Sequence, residues 1–280
     1  MSNDHLTEKL DAFVTLSEPQ FAFLINAPWG SGKTHFIKKW ASSGKDHIYV
    51  SLFGIKSAAE INEALVHAMI EQCKVAVKLN PQTTKMFEGV FRKFTGAQID
   101  ATSIYQKQVL KDRPSIIIFD DLERSKMTTA EFLGAINQFV EHQKKQVILI
   151  ANEEEIKEDD DYERTKEKLI GRTVSIAPNI DDALSAFIDE ISKISVLSNA
   201  GDFLRSEKET LTAVFSKSGE TNLRLLRYAL LDFAHYYCLL SKRFTENTVG
   251  MRAFAATFIA MLFLYATKQG TALDDMLTDP

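Results

Sequence analysis

The chain is poor in cysteine, with only Cys73 and Cys238 among 280 residues. They lie far apart, with no CxxC pair and no Cys/His cluster, which excludes a disulfide framework and a structural zinc site. Both are expected to be small buried hydrophobes in a reducing cytoplasm. Residues 1–11 have no basic start and no apolar segment of signal-peptide length, so no export is inferred and the expected location is cytoplasmic. Nor is there an apolar run of the roughly 20 residues that cross a bilayer. The nearest to one, residues 253–266, is interrupted only by a threonine; it reads as a buried helix, or as an interface for a partner or another protomer. A basic excess is missing too, since 33 Lys and Arg face 38 Asp and Glu, a formal net charge of −5. Global attraction to nucleic acid or to an anionic membrane is therefore not expected. Internal repeats and low-complexity tracts are also absent.

What is present suffices for one large domain or two moderate ones with a real core, since 45 % of the residues are hydrophobic. The organising stretch is Ala27-Pro28-Trp29-Gly30-Ser31-Gly32-Lys33-Thr34, between an apolar run over 21–25 and a helical pattern over 34–40. A strand that ends in a glycine-bearing loop and restarts as a helix aims backbone N–H groups and a positive helix end at one point, which suits a polyphosphate. Lys33 would reach the β and γ phosphates, and the Thr34 hydroxyl would help hold Mg²⁺. This is the P-loop pattern, with Ala27 where the consensus begins with glycine.

A second decisive run is SIIIFDD at 115–121. Consecutive β-formers mark a buried parallel strand, and ligands bind beyond the carboxyl ends of such strands. Asp120 would hold Mg²⁺ there, and Asp121 would orient or deprotonate the attacking water, as in a Walker B site. Further strands are expected at 47–53 (HIYVSLF), 146–151 (QVILIA) and 172–176 (RTVSI). Asn152, just past the fourth, would face the same crevice and bond the γ phosphate or the water; a strand-end Asn capping a turn fits the spacing equally well.

Between the strands the patterns are helical: 6–16, 57–111 and 128–142, the last opened by a Thr-Thr-Ala-Glu capping box. In the second, Ile61, Leu65, Ala68 and Met69 form one stripe and Met86, Val90, Phe91 and Phe94 another. Arg92 and Lys93 beside these aromatics read as a solvated face. The acidic run 153–163 reads as a mobile loop entering a helix that Gly171 ends. From residue 178 onward strands disappear, and helices are expected at 181–194, 206–215 (opened by a Ser-Glu-Lys-Glu box), 221–240 and 249–267. The implied division is a core at 1–177, a helical domain at 178–244 and a helical extension at 245–280. Arg224 and Arg227 share a face of the third of these helices.

The Trp-Gly before Ser31-Gly32-Lys33-Thr34, YVSLFG at 49–54, DDLER at 120–124, EKLIGR at 167–172 and TNLRLLRYAL at 221–230 resemble the KAP-type NTPases. These are bacterial relatives of the STAND and AAA+ groups, often associated with phage exclusion or signalling. The resemblance spans about residues 18–240. It implies an α/β three-layer sandwich whose five-stranded parallel sheet has the order 5-1-4-3-2, followed by an α-helical lid. It also implies that Trp29 to Thr34 bind ATP, that Asn152 is sensor 1, and that Arg224 is sensor 2, reaching the γ phosphate. Arg172 falls where related ATPases carry a finger for a neighbour's nucleotide. Two departures stand out: Ala27 in the loop, and Asp121 where AAA+ proteins usually have Glu. KAP proteins often carry membrane segments within the NTPase region, and none is read here.

The function expected is a Mg²⁺-dependent ATPase switch in bacterial signalling or anti-phage defence, with a homo-oligomer or an effector protein as partner. The alternative is a nucleotide-gated assembly module with little turnover. A small-molecule kinase shares the P-loop but usually lacks the second acid and the helical lid with paired arginines, and a GTPase would need an Asn-Lys-x-Asp stretch. DNA remodelling rests on family analogy alone, and the acidic balance does not favour it.

Overall fold

Five short runs of β-formers pair in parallel: β1 (Ala22–Asn26), β2 (His47–Ser51), β3 (Ile116–Asp120), β4 (Gln146–Ala151) and β5 (Ile170–Ser175). In the computed structural model, which describes residues 3–76, 115–156 and 160–266, their order across the sheet is β2-β3-β4-β1-β5. Read from the other edge this is the expected 5-1-4-3-2. Inserting β3 and β4 between β1 and β2 brings the end of the first strand beside Ala151, and the end of the second beside Asp120.

Strand alternation then builds the layers. Leu24, Val50, Phe119 and Leu149 point to one face, where they pack with Ile61 and Leu65 of α3 (Ala58–Ala76) and with Phe132 and Ile136 of α4 (Thr129–Asn137). Phe23, Ile25, Ile118 and Ile148 point to the other. That face receives Leu6, Leu10 and Phe13 of α1 (Asp4–Val14), with Ile37 and Trp40 of α2 (Lys33–Ala41). The central strands β3 and β4 are buried throughout, as continuous apolar runs require when helices cover both faces.

The chain forms two compact units: Asn3–Ala27 with Lys33–Ile176, the sheet unit, and Pro28–Gly32 with Ala177–Pro280, the helical unit. The described part of the second is built on α6 (Ile180–Ser192), α7 (Ser198–Ser206), α8 (Lys208–Ser218), α9 (Leu223–Leu239) and α10 (Thr248–Ala266). Leu184, Ile188, Leu204, Phe215, Leu226, Leu230, Phe233 and Phe263 meet in its core.

Several sequence expectations change. The capping box at Thr128 is present in full, but Ser206 opens no helix. It closes α7, a helix whose sparse apolar pattern gave no clear stripe, and Glu207 precedes α8. Gly171 does not end a helix: α5 (Asp160–Leu169) runs directly into β5, and Gly171 lies inside that strand. A Cβ on Gly171 would sit 2.5 Å from the Phe21 ring, so close packing selects the glycine there. The acidic run is partly structured, because Ile156 and Tyr162 are buried and the Tyr162 hydroxyl donates to Glu153 Oε1 at 2.9 Å. Cys238 is exposed rather than buried, with its Sγ 3.2 Å from the Val196 carbonyl. The side chain of Cys73, the stripe Met86, Val90, Phe91 and Phe94, and Arg92 and Lys93 lie outside the described residues.

The helix α10 departs furthest. Only the stripe Met251, Ala255, Ile259 and Phe263 is buried, while Val249, Phe254, Met261, Leu264 and Tyr265 are exposed. Its 19 residues are long and apolar enough to cross a membrane by length and composition, where the interrupted run in the sequence fell short of that length. A side-chain tie of α10 to its unit is Arg252, whose Nε donates to Glu207 Oε2 at 2.7 Å; the Thr210 hydroxyl donates to the same oxygen at 3.0 Å.

The Arg252 bond holds the Glu207 carboxyl below its ordinary pKa. A carboxylate lowered in the folded state contributes stability that is present above its unfolded pKa and lost as pH falls through the folded value. Arg252→Ala should therefore lower Tm at pH 7, and the gap from the unsubstituted chain should narrow as the pH drops below the ordinary glutamate range. Thermal unfolding over a pH series tests this; a gap that stays constant with pH would refute it.

Candidate functional site

The loop after β1 begins while the chain is still tied to the sheet. Ala27 N–H donates to the Ala151 carbonyl at 3.1 Å, extending the β1–β4 pairing by one residue. Ala27 thus continues the strand, in ordinary extended pairing, so the missing first glycine imposes no strain. The turn comes later, at Gly30 and Gly32, with φ of +78° and +91°. These values lie in the left-handed region, where a Cβ is costly. From there α2 starts directly with Lys33, which is 8 % exposed and whose Nζ donates to the Ala27 carbonyl at 2.5 Å.

Asp120 closes β3 and is 1 % exposed. Its Oδ2 accepts hydrogen bonds from Thr34 Oγ1 at 2.7 Å and from the Tyr49 hydroxyl at 2.6 Å, and its Oδ1 accepts the Asp121 N–H at 2.8 Å. Burial, the bond to Asp120 and the charges of both aspartates push the Tyr49 phenol far above its ordinary pKa, so it remains a donor. Asp121 sits in the left-handed conformation, φ 60° and ψ 41°. Its carboxylate accepts from Ser51 Oγ at 2.9 Å and lies 3.8 Å from Arg124 Nε.

Asn152 follows β4 at the same sheet edge. Its N–H donates to Glu123 Oε2 at 3.1 Å, and the next N–H, of Glu153, donates to Asn26 Oδ1 at 3.0 Å. Glu123 and Asn26 therefore bind the ends of β3, β4 and β1 together. The side-chain Oδ1 of Asn152 is buried without a hydrogen-bond partner, and so is Ser31 Oγ in the loop. A buried polar atom left without a partner marks a place where an external group would complete the bonding. The donor set at this sheet edge suits a nucleotide with Mg²⁺: a lysine amine, a threonine hydroxyl and a buried aspartate, with the hard oxygens of the last two already paired.

Thr34, Asp120, Asp121, Lys33 and Asn152 are thus brought to one edge of the sheet. Arg172 is not. It is exposed in the middle of β5, in register with Phe23 and three residues short of the Asn26 level, so roughly 10 Å of strand separates it from that edge. In the helical unit, Arg224 is exposed near the start of α9. Its neighbour Leu223 donates its N–H to the Gly30 carbonyl at 2.9 Å, and Asn222, the helix cap, lies against Gly30. Arg227 is engaged by Glu190, with Nε 3.0 Å from Oε2 and Nη2 on Oε1. Trp29 is 38 % exposed. The residues that sequence reading passed over are Tyr49, Ser51, Glu123 and Asn26. A visible signal existed for the first two, a hydroxyl at i and i+2 in a strand of β-formers.

The family model described as the KAP family P-loop domain matches residues 3–106 and 98–240. A search of curated proteins returns no match. Among solved structures, Cdc6p from Pyrobaculum aerophilum is similar in fold, with 13 % identity over 84 % of this chain and a TM-score of 0.50. The chain spans 61 % of that structure's length. The Aeropyrum pernix ORC2 protein in its ADP form gives 11 % identity, 92 % and 66 % coverage of the two chains, and a TM-score of 0.47. AMPPCP-bound DnaA from Aquifex aeolicus gives 14 %, 99 % and 92 %, and 0.39.

A Cβ on Gly30 would lie 1.9 Å from Asn222 Oδ1 and 3.1 Å from its Cα, whereas one on Gly44, at φ +88°, meets nothing within 4 Å. Gly44→Ala should cost about 1–2 kcal/mol of backbone strain alone. Gly30→Ala should cost about 1–3 kcal/mol more, because Asn222 must also move. Urea unfolding of both variants measures the difference, and equal destabilisation would count against the described contact.

Proposed function

The chain belongs to the KAP family of P-loop domains, and from that premise we propose that it binds ATP with Mg²⁺ and hydrolyses it as a molecular switch. The observation that carries the reading is the bond from Thr34 Oγ1 to Asp120 Oδ2. It joins the start of the helix after the glycine loop to the end of the third strand, and each atom is a hard oxygen of the kind Mg²⁺ prefers.

In this reading the backbone N–H groups of residues 29–34 cradle the phosphates, and Lys33 leaves the Ala27 carbonyl to pair with them. Thr34 and Asp120 would hold Mg²⁺, which when bound neutralises charge on the phosphate oxygens. Asp121 orients the attacking water and takes its proton, while Asn152 offers its unpartnered amide oxygen to the same water. The role of γ-phosphate sensor is assigned to Arg224 on the family resemblance alone. Arg172, exposed on the edge strand β5, is assigned to a neighbouring copy's nucleotide. The proposed setting is cytoplasmic, in bacterial signalling or anti-phage defence, and it rests on the family resemblance.

A second reading is a nucleotide-gated assembly module with little turnover. The exposed apolar side chains of α10 favour it, since a helix apolar on every side is ordinarily covered.

Asp121→Asn separates the two readings, because asparagine tolerates the left-handed backbone at that position. Under the switch reading, ATP affinity should stay within a few-fold while turnover falls about 10²-fold or more. Lys33→Ala should lose ATP binding itself. Titration with a fluorescent ATP analogue and a phosphate-release assay measure the two quantities. Parallel loss of both in Asp121→Asn would overturn the assigned role, and no turnover in the unsubstituted chain would favour the assembly module.

A further inference from the structure

Tyr49 lies in the second strand, outside both phosphate-binding motifs, yet its hydroxyl makes the shortest of the three bonds to the Asp120 carboxylate described above. The route is set by the sheet. β2 alternates, so Ile48 and Val50 enter the core on one face while Tyr49 packs against the core on the other, the face of Ile116 and Ile118. Tyr49 is in register with Ile118, and Asp120 stands two residues farther along the same face of β3. Such a diagonal pair is about 7–8 Å apart at the backbone, a span that an aromatic side chain can bridge and a shorter one cannot.

The ring is positioned by contacts that have no need of the hydroxyl. It packs on the apolar cluster of its face, and Lys38 Nζ stands over the ring, 4.4 Å from its centroid. Phenylalanine would satisfy every one of these contacts. The phenol oxygen is therefore surplus to packing, and it is directed at the carboxylate proposed to hold Mg²⁺.

We propose that Tyr49 is a positioning residue for that carboxylate, fixing the rotation of the Asp120 side chain so that one Oδ2 lone pair is held, as the Asp121 N–H holds one on Oδ1, and a remaining lone pair faces the metal. The inference rests on the nucleotide reading of the site and extends it to a residue that takes no part in contacting the phosphates. Of the two hydroxyls on Oδ2, that of Thr34 is itself a proposed metal ligand. A hydroxyl that ligates a metal through an oxygen lone pair keeps its proton for Asp120, so the Thr34 bond is tied to the metal's position, whereas the Tyr49 bond holds Oδ2 from outside the metal's shell. Outer partners of metal ligands act in this way by restricting orientation, and their removal ordinarily weakens metal affinity about 10–100-fold.

The test is Tyr49→Phe in the full chain, with the dissociation constant of a fluorescent ATP analogue measured in EDTA and across a Mg²⁺ titration. The expected result is an affinity in EDTA unchanged within about twofold, with the Mg²⁺ concentration needed for half-maximal enhancement raised about tenfold or more. Thermal unfolding without nucleotide should differ little from that of the unsubstituted chain. An unaltered Mg²⁺ requirement in Tyr49→Phe overturns this inference and leaves the nucleotide reading standing. A loss of folding, or an equal fall in affinity with and without Mg²⁺, makes Tyr49 a packing residue and also overturns it. Absence of nucleotide binding by the unsubstituted chain overturns the nucleotide reading, and this inference with it.

Discussion

The bond between Thr34 and Asp120 ties together two segments separated by 86 residues. Its existence depends on the order of the sheet, not on either motif alone. Because β3 and β4 enter between β1 and β2, the loop after β1 and the acidic end of β3 lie at one edge with a single strand between them. That intervening strand, β4, contributes Asn152 at its own end. A simple meander would have set the same residues on diverging loops. Topology thus converts three ordinary strand ends into one cluster of polar groups over an apolar sheet.

The rigidity of that cluster comes from bonds that sequence motifs do not name. Glu123 takes the Asn152 N–H, Asn26 takes the Glu153 N–H, and Glu153 in turn accepts from Tyr162 and pairs with Lys166 at 2.6 Å. Each strand end would otherwise leave buried backbone donors without partners, at a cost of about 1–3 kcal/mol apiece. Of the two closing side chains, Glu123 brings a carboxylate to the end of β4 while Asn26 is neutral, and the charge of Glu153 is met by Lys166.

The five strands, the capping box and the two motif stretches were legible because each depends on local pattern: apolar runs, a helix cap, and glycines before a lysine; the sheet order came only from the family resemblance that those motifs carry. What was not legible depends on approach in space. Gly171 looked like a helix stop because glycine usually is one, but its role is to admit the Phe21 ring. Ser206 resembled a cap because three acids or bases follow it in the right register, yet α7 occupies it first. Cys238 has the composition of a core residue and stands exposed, since α9 turns its other face inward. Tyr49 and Ser51 read as β-formers because their hydroxyls acquire meaning only when β3 is laid beside them.

The aspartate at position 121, where related ATPases usually carry glutamate, follows from the backbone before it follows from the chemistry. The chain must leave β3 and enter the single helical turn Leu122–Arg124 at once, and it does so through a left-handed residue at 121. Among residues with a carboxylate, aspartate visits that conformation far more readily than glutamate, since its short side chain can bond locally. The same shortness lets Ser51 and Arg124 hold the carboxylate from two sides, Oδ2 and Oδ1. A glutamate would reach farther but would have to be strained into the turn and would overshoot the serine. The shorter acid is therefore the one that this strand-to-helix junction can present in a fixed orientation, and the water it is proposed to activate would lie correspondingly closer to the end of β3.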